Sequence, residues 1–415
     1  MTVFNPVWRV YINAVEYTTY TLSNLTISSG RNNIYQQAQA GYCNLELLNL
    51  TQAIVNININ DSVTIELQDS TATFVPIFGG TVVDFGIEVN TAGSVGINQI
   101  LKITALGALS RLPKSLTDGV LAQDFDGDQV YYALQEAVLN NWGEVPAALT
   151  WATYDPTIDW ANAENVGLGE IDRPGNYELA ARTSDRTDVY SLVAALATSG
   201  LGYIYEDSQG LISYADSTHR ASYLAANGYT ELTANHALFN GLKIETRAGD
   251  VRNELTLKYG ANSTNEVTDS DTASIGYYGR LAQIITTTLK HIADATSQAA
   301  FYLTLRANPQ ANFNSITYQL TNPELDDADR DALIKVFMGL PLRISDLPPN
   351  MVAGVFQGFV EGWTFKAAYN EIAINLNLSP LSYSLQAMTW QDVSNLESWN
   401  TITGTLTWTN ALIVA

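Results

Sequence analysis

The chain has 415 residues, of which 46% are hydrophobic and 15% are charged, a composition that excludes a disordered tail and favours a folded protein. Because single domains cluster near roughly 100 to 150 residues, this length predicts two to four domains. The 42 acidic residues outnumber the 20 basic residues and give a formal net charge of -22, which excludes passive binding to nucleic-acid phosphates.

The first residues lack a basic segment followed by an apolar core, so we expect no secretion signal, and no stretch reaches the roughly 18 apolar residues of a membrane span. The single cysteine, Cys43, cannot form an internal disulfide. With only three histidines, the chain also lacks the ligands of a Cys or Cys/His zinc site. Cys43 lies in a strand-like alternation, which predicts a buried structural thiol.

Residues 1–112 consist almost entirely of short alternating segments that predict β-strands. These segments are 7–12, 45–48, 55–59, 63–67, 78–83 and 101–106. Gly, Asn, Asp and Ser separate them, a pattern typical of a barrel or a sandwich. We therefore predict a first β-barrel over residues 1–112.

The middle of the chain, residues 113–235, changes character. Apolar residues recur with helical spacing after Asp128 and again after Thr187, which predicts two amphipathic helices. The segment 200–214 contains two apolar runs joined by a polar turn, which predicts a hairpin. A helix followed by a hairpin indicates an inserted α/β layer.

Strand patterns return at 242–246 and 254–259, and helices are predicted over 292–306 and 324–337. We assign residues 236–382 to a second β-barrel with helical insertions. Residues 383–415 are assigned to a C-terminal extension. The predicted fold class is thus mainly β, of the α+β type, with two related barrels.

The two barrels are expected to be duplicates, because the pattern Phe-x-Gly-x-Val occurs at 78–82 and again at 356–360. Before the pattern, the apolar residues 63 and 65 correspond to 342 and 344. After it, the apolar residues 103 and 105 correspond to 374 and 376. We predict that Gly80 and Gly358 hold equivalent places, where a side chain would strain a bulge or block close backbone approach.

One segment resembles the start of a calcium loop, because Asp124, Asp126 and Asp128 alternate along it. The loop pattern fails at two places, where Gln129 replaces the required glycine and Gln135 replaces the bidentate glutamate. The alternative, a turn in which Asp128 caps the following helix, is the preferred interpretation. We therefore predict no metal site and keep the three aspartates as a weak candidate.

Other residue combinations point to no catalytic or cofactor-binding site. Residues 216–219 contain the residue types of a catalytic triad, yet neighbours in sequence rarely face one another productively and no nucleophile elbow is present. The Gly167-Leu-Gly169 segment lacks the third glycine and the basic partner of a phosphate loop. The sequence therefore predicts a protein that is not an enzyme and needs no cofactor.

Tryptophans recur every nine residues in two sets near the middle and the end of the chain. The sets are Trp142, Trp151 and Trp160, and Trp390, Trp399 and Trp408. They are interpreted as packing anchors or as sugar-stacking platforms, and the terminal set also as an element that docks onto a neighbouring subunit.

Several ordered segments together resemble the minor tail and hub proteins of double-stranded DNA phages, especially long-tailed siphophages. These segments are 29–37, 40–47, 60–65, 78–84, 105–112, 125–128, 202–207, 274–279 and 358–363. The resemblance spans nearly the whole chain. It implies a homotrimeric hub in which each chain gives two related barrels to a pseudo-sixfold ring that docks on a hexameric tail.

The same resemblance implies the location and partners of the protein. The hub would be assembled in the host cytoplasm and lie at the tail tip or baseplate of the virion. Its partners would be further copies of itself, a distal tail or tail tube protein, and fibre, spike or tape measure proteins. Genome DNA would pass through the ring without specific binding, and the acidic residues are expected either to line that channel or to spread over the exterior.

Two other functions stay open at this point. The first is a virion receptor module that binds glycan through exposed aromatic side chains, and the second is a tail-associated cell-wall hydrolase. Trimer formation without glycan binding would favour the hub. Glycan binding by an isolated subunit would favour the receptor module, and release of muropeptides would favour the hydrolase.

Overall fold

The protein is mainly β with packed helices, so the predicted α+β class is confirmed. The computed structural model describes residues 4–17, 20–34, 36–51, 53–91, 97–136, 168–238, 243–246, 248–309, 311–349, 354–368 and 371–381. The described helices are all too short or too polar to cross a membrane.

The first part of the chain forms strands. They are β1 (Trp8–Ile12), β2 (Val15–Glu16), β3 (Thr21–Gly30), β4 (Gln39–Asn49), β5 (Ser62–Gln68), β6 (Phe74–Thr91) and β7 (Ile97–Leu106). In β4, every second side chain from Cys43 onward is buried and the others are partly exposed, as expected for a strand with one face on the core. The burial predicted for Cys43 is confirmed, and this burial raises the pKa of its thiol.

The strand predicted at 55–59 is wrong. This segment has no strand partner in the described structure, and it runs into a turn at Asn60, whose φ is 71°. The side chain of Asp61 accepts a hydrogen bond from the backbone N–H of Asn58 at 2.7 Å, so local turn bonds replace a strand ladder. The patterns recognised in the sequence also omitted β3.

The middle of the chain forms a helical and strand layer. Its elements are a 3₁₀ helix (Ala108–Lys114), β8 (Leu116–Thr117), β9 (Asp124–Phe125), α1 (Asp126–Glu136), β10 (Leu168–Ile171), β11 (Glu178–Leu179), β12 (Thr187–Asp188), α2 (Val189–Ser199), β13 (Tyr203–Glu206), β14 (Ile212–Ala215) and α3 (His219–Asn227). The two predicted helices and the hairpin are confirmed as α1, α2 and the antiparallel pair β13–β14. Helix α1 begins at Asp126, so Asp128 lies in its first turn and does not cap it.

The remaining described residues add strands and helices. They are β15 (Thr230–Thr233), β16 (Lys243–Thr246), β17 (Glu254–Tyr259), β18 (Asn265–Ser270), α4 (Thr272–Tyr278), β19 (Ala282–Thr286), α5 (Ile292–Arg306), β20 (Ala311–Gln319), α6 (Asp327–Ile334), β21 (Pro341–Ser345), β22 (Phe356–Ala368) and β23 (Glu371–Pro380). Helix α5 has the predicted bounds. Helix α6 is shorter than predicted at both ends. It ends at Ile334, and it begins late because the side chain of Asp326 accepts a hydrogen bond from the Asp329 N–H at 2.8 Å and caps its start.

One large sheet of 13 strands contains most of these elements. Its main order is β2-β1-β5-β6-β7-β4-β3-β22-β23-β20-β16, with β21 paired to β22 and β15 paired to β21. The pairing of β3 with β22 joins the first half of the sheet, β1 to β7, to the second half, β15, β16 and β20 to β23. Strands β17 to β19 form a separate small sheet whose apolar residues share a core with the α/β layer.

The two halves repeat one strand order. The series β1-β5-β6-β7-β4-β3 in the first half corresponds to β15-β21-β22-β23-β20-β16 in the second half. The register confirms that Gly80 and Gly358 are equivalent, because Gly80 pairs with Val63 on β5 and Gly358 pairs with Leu342 on β21. The halves differ at one edge, since β1 is antiparallel to β5 whereas β15 is parallel to β21.

The long strands β6 and β22 share a bulge as well. The register with the next strand shifts between Val82 and Asp84 in β6 and between Val360 and Gly362 in β22. Continuing the same register pairs Phe85 with Ile103 and Trp363 with Leu376. The sequence alignment of 103–105 with 374–376 is therefore wrong by two residues, and the equivalent segment is 376–378.

Candidate functional site

The two halves of the sheet meet at a buried carboxylate, Glu361, at the bulge of β22. Arg31, which follows β3, lies with its Nε 2.7 Å from Glu361 Oε2. Arg220, on α3, donates from Nη1 to Oε1 at 2.7 Å and from Nη2 to Oε2 at 2.9 Å. Ser379 Oγ donates to Oε1 at 2.5 Å, so both carboxylate oxygens are fully engaged.

This cluster of Arg31, Arg220, Glu361 and Ser379 is called the seam cluster. Burial by itself would raise the pKa of Glu361, but the two arginines and the hydrogen bonds lower it to about 2. The ring of Tyr203 lies 4.6 Å from the Arg220 guanidinium carbon and 5.4 Å from that of Arg31, measured to the ring centroid. The seam cluster thus ties the first half, the second half and the α/β layer together at one buried carboxylate.

A second buried carboxylate, Glu206 on β13, connects the α/β layer to the first half of the sheet. Its Oε2 accepts the backbone N–H of Gly41 at 2.7 Å and its Oε1 accepts that of Leu109 at 2.6 Å. Burial raises the pKa of Glu206 to about 7, although both backbone hydrogen bonds act in the opposite direction. Unlike Glu361, Glu206 has no cationic partner among these contacts.

The raised pKa of Glu206 predicts a pH-dependent stability. Between pH 4.5 and about 7 the carboxyl group is protonated in the folded protein and ionised in the unfolded chain, so stability falls as pH rises through this window. The difference amounts to on the order of 3 kcal/mol. We expect Glu206→Gln to reduce this loss, which urea denaturation at pH 5 and pH 8 would measure. Asp126, whose pKa burial raises to about 6, adds a smaller dependence of the same sign that remains in this variant.

The control for this experiment is Glu231→Gln, because Glu231 lies on the surface, 3.1 Å from Arg343. This variant is expected to retain the wild-type difference between the two pH values. An equal pH dependence in Glu206→Gln and wild type would refute the assignment.

Among the described strands, the long strand β6 lacks a partner along part of one edge. Strand β5 covers residues 74–81 of β6, and β7 pairs with residues 81–91 on the other side. Beyond the bulge, no described strand pairs with the β5 side of residues 84–90. These residues are called the free edge.

The equivalent part of β22 is covered. Residues 362–368 pair with β3, and in this region Phe365 and Ala367 are 3% and 2% exposed. Their equivalents on the free edge, Ile87 and Val89, are 49% and 51% exposed. The same strand position is therefore buried in one half and open in the other.

The three aspartates of the weak calcium candidate have separate partners. Asp126 Oδ1 accepts the Tyr177 N–H at 2.7 Å, and its Oδ2 accepts the Tyr214 hydroxyl at 2.5 Å. Asp128 forms an ion pair with Arg173, and Asp124 accepts the Phe125 N–H. Within the described residues, no group of three or more His, Cys, Asp and Glu side chains is arranged to hold a metal ion.

The triad residue types at 216–219 form a turn. Asp216 Oδ1 accepts from the backbone N–H groups of Thr218 at 2.7 Å and His219 at 3.0 Å, while Ser217 Oγ accepts from Asn176. His219 Nδ1 lies 2.8 Å from Asp172, which the sequence did not indicate. Burial would lower the pKa of His219, but Asp172 raises it.

The six periodic tryptophans and Gly167 lie outside the described residues, whereas Gly169 lies in β10. Sequence reasoning missed the roles of Arg31, Glu361 and Glu206, although each lies in a segment that carries the family resemblance. A usable signal was present in β22, where Glu361 is an isolated charge between Val360 and Gly362 in an apolar strand.

Comparison with solved structures finds similar folds among phage tail proteins. A 43 kDa tail protein of prophage MuSo2 from Shewanella oneidensis is 11% identical, with a TM-score of 0.54, over 91% of this chain and 99% of that chain. A tail protein from Neisseria meningitidis MC58 is 12% identical, with a TM-score of 0.56, over 92% of this chain and 99% of that chain. The resemblance inferred from the sequence is thus confirmed at the level of the fold.

No protein-family model matches the sequence, and comparison with curated proteins gives no match either.

Proposed function

We propose that the chain is a structural subunit of a phage tail. The observation that carries this proposal is the similarity of its fold, over nearly its whole length, to proteins described as phage tail proteins. Fold alone does not fix function, so the proposal also draws on the ordered segments that resemble tail hub proteins. The described interior supports a structural role, because its buried carboxylates are bound by arginines and backbone N–H groups that connect layers.

Within the tail, we propose that the chain forms a trimeric hub at the tip or baseplate. The repeated strand order supports this assignment, because three chains with two similar halves each present six similar edges to a sixfold tail. We propose that each half contributes one barrel-like wall to that ring. A threefold object built in this way meets a hexameric tube with little mismatch.

The proposed hub closes the tail tube and anchors fibre or spike proteins, with a distal tail or tail tube protein and tape measure proteins as its other partners. We propose that it acts without catalysis or cofactor. Genome DNA would pass through the ring without specific binding. The net charge of -22 supports this last point, since a strongly acidic protein repels the phosphates of DNA.

The trimer has a direct test. Sedimentation equilibrium of the purified protein is expected to give three times the 45.3 kDa mass of one chain, and negative-stain images are expected to show a ring with six similar lobes. A dilution series separates a stable trimer from a concentration-dependent contact. A monomer at all concentrations, a dimer or a ring of five would overturn the trimeric hub.

A further inference from the structure

We propose that the free edge of β6 pairs antiparallel with β16 of a second copy of this chain, in the register that β22 and β3 use within one chain. The proposal rests on the proposed function for the number of copies. Its position and register come from the internal repeat alone. The equivalences that define it are β6 with β22 and β16 with β3.

The first argument is the repeated contact. Within one chain, residues 362–368 of the second half pair antiparallel with residues 24–30 of the first half. This contact uses β22 from the second half and β3 from the first half. Their equivalents, β6 and β16, make no such contact among the described strands. The unused strands are the free edge of β6 and the outer side of β16, whose single partner among the described strands is β20. A contact of this head-to-tail kind repeats until the assembly closes into a ring.

The second argument is the burial of side chains. Phe365 and Ala367 are nearly fully buried in the half where β3 lies alongside and where Trp8 packs on Phe365, whereas Ile87 and Val89 remain about half exposed where no described strand follows. Long exposed apolar edges are templates for pairing with another chain, and proteins normally cover or interrupt them. A strand placed beside residues 84–90 would reduce this exposure, as β3 does in the other half.

The register follows from two alignments. Strands β4 and β20 are equivalent because they pair with β7 and β23. Following the pairing of β3 with β4 and of β16 with β20 then makes Lys243 equivalent to Thr26. Thr26 pairs with Lys366. The equivalent of Lys366 on β6 is Glu88, by the register shared at the bulges. Glu88 of one copy therefore lies opposite Lys243 of the next copy.

The remaining pairs agree with a sheet contact. Counted residue by residue along β16 from Lys243, past the register shift that β16 makes with β20 before Ile244, this register places Ile87 opposite Ile244 and Gly86 opposite Glu245. An acidic and a basic residue directly opposite each other favour antiparallel pairing, as do two β-branched apolar residues. A second copy of the chain thus supplies both the backbone edge and the chemically matching residues.

The test uses the double variant Glu88→Cys with Lys243→Cys. Directly opposed residues of antiparallel strands have Cα atoms about 4.5 to 5.5 Å apart, a separation that a disulfide spans. Under mild oxidation we expect intermolecular disulfides, seen as a ladder on a non-reducing denaturing gel that ends at three chains. Glu88 is a surface residue that pairs with exposed Lys102, so the substitution leaves the core intact.

Three controls keep the result specific. The native thiol of Cys43 is fully buried and is expected not to react in the folded protein. Each single-cysteine variant is expected to remain uncrosslinked, because the contact joins unlike strands. The pair Glu88→Cys with Glu245→Cys is displaced by two residues along the strand, about 7 Å, and is expected to crosslink at least tenfold more slowly.

The outcomes separate this inference from the proposed function. A trimer by mass without disulfides in the in-register pair would overturn the strand pairing and leave the trimeric hub standing. A ladder that ends at two chains or continues beyond three would support the pairing and overturn the trimer. Crosslinking of Glu88→Cys alone would overturn the pairing, because it would show a contact between like edges.

Discussion

Replacing Glu361 by glutamine is expected to lower the free energy of unfolding by about 3 to 5 kcal/mol, the range found when one partner of a buried ion pair is removed. The substitution keeps the size of the side chain but leaves Arg31 and Arg220 buried beside each other without a counter-charge. Glutamine can also accept through only one oxygen, whereas Glu361 binds its partners through both. Urea denaturation followed by circular dichroism would measure the difference.

The matched control is Glu231→Gln, which removes one carboxylate from the exposed pair with Arg343. Exposed pairs contribute about 0 to 1 kcal/mol, so this variant is expected to unfold close to the wild-type midpoint. A Glu361→Gln variant no less stable than the control would show that the seam cluster does not hold the layers together.

The stability of the same variant at acidic pH provides a second test. The folded-state pKa of Glu361, about 2, lies below its unfolded value, so its stabilising effect is present above pH 4.5 and is lost as pH falls toward 2. Glu361→Gln is expected to lack this part of the acid transition. Replacing the charges together, as Arg31→Met, Arg220→Met and Glu361→Leu, is expected to restore much of the stability, since well-packed apolar groups often substitute for buried ion pairs.

Replacing Gly358 by alanine is expected to lower the free energy of unfolding by about 3 kcal/mol, the upper part of the usual range for overpacking. A Cβ at this position would lie 2.1 Å from the backbone oxygen of Ser379 and 2.7 Å from the ring of Phe356. The oxygen belongs to the neighbouring strand β23, so relief requires the strands to separate. Thermal unfolding would show the loss as a lower midpoint.

Two further alanine variants test the reason for this loss. Gly86 lies on the equivalent strand β6 with open space around its Cβ position, so Gly86→Ala is expected to change stability by less than about 1 kcal/mol. Gly80→Ala is expected to resemble Gly358→Ala, because its Cβ would lie 2.5 Å from the backbone oxygen of Leu106. Equal midpoints for Gly358→Ala and Gly86→Ala would contradict the close strand approach.

The sequence by itself determined the local elements whose signal repeats over many residues. Helix α5 has the predicted bounds, and α1, α2 and the β13–β14 hairpin follow the predicted periodicity. The duplication could also be recognised, because Gly80 and Gly358 both lie where a side chain would clash with the backbone of a neighbouring strand. These features depend on neighbours within one turn, one hairpin or one strand pair, so the local order of residues carries them.

Only the tertiary structure decided the register and the long-range contacts. A slip of two residues preserves the alternation of a strand, which is why the sequence aligned 103–105 with 374–376 while the hydrogen bonds align it with 376–378. Arg31 and Glu361 are separated by 330 positions, a distance at which periodicity carries no information. The apolar alternation of Ile87 and Val89 on β6 matches that of Phe365 and Ala367 on β22, yet among the described strands only Phe365 and Ala367 have a partner on both edges. Burial depends on which strand lies alongside, and the topology of the whole sheet determines which strand that is.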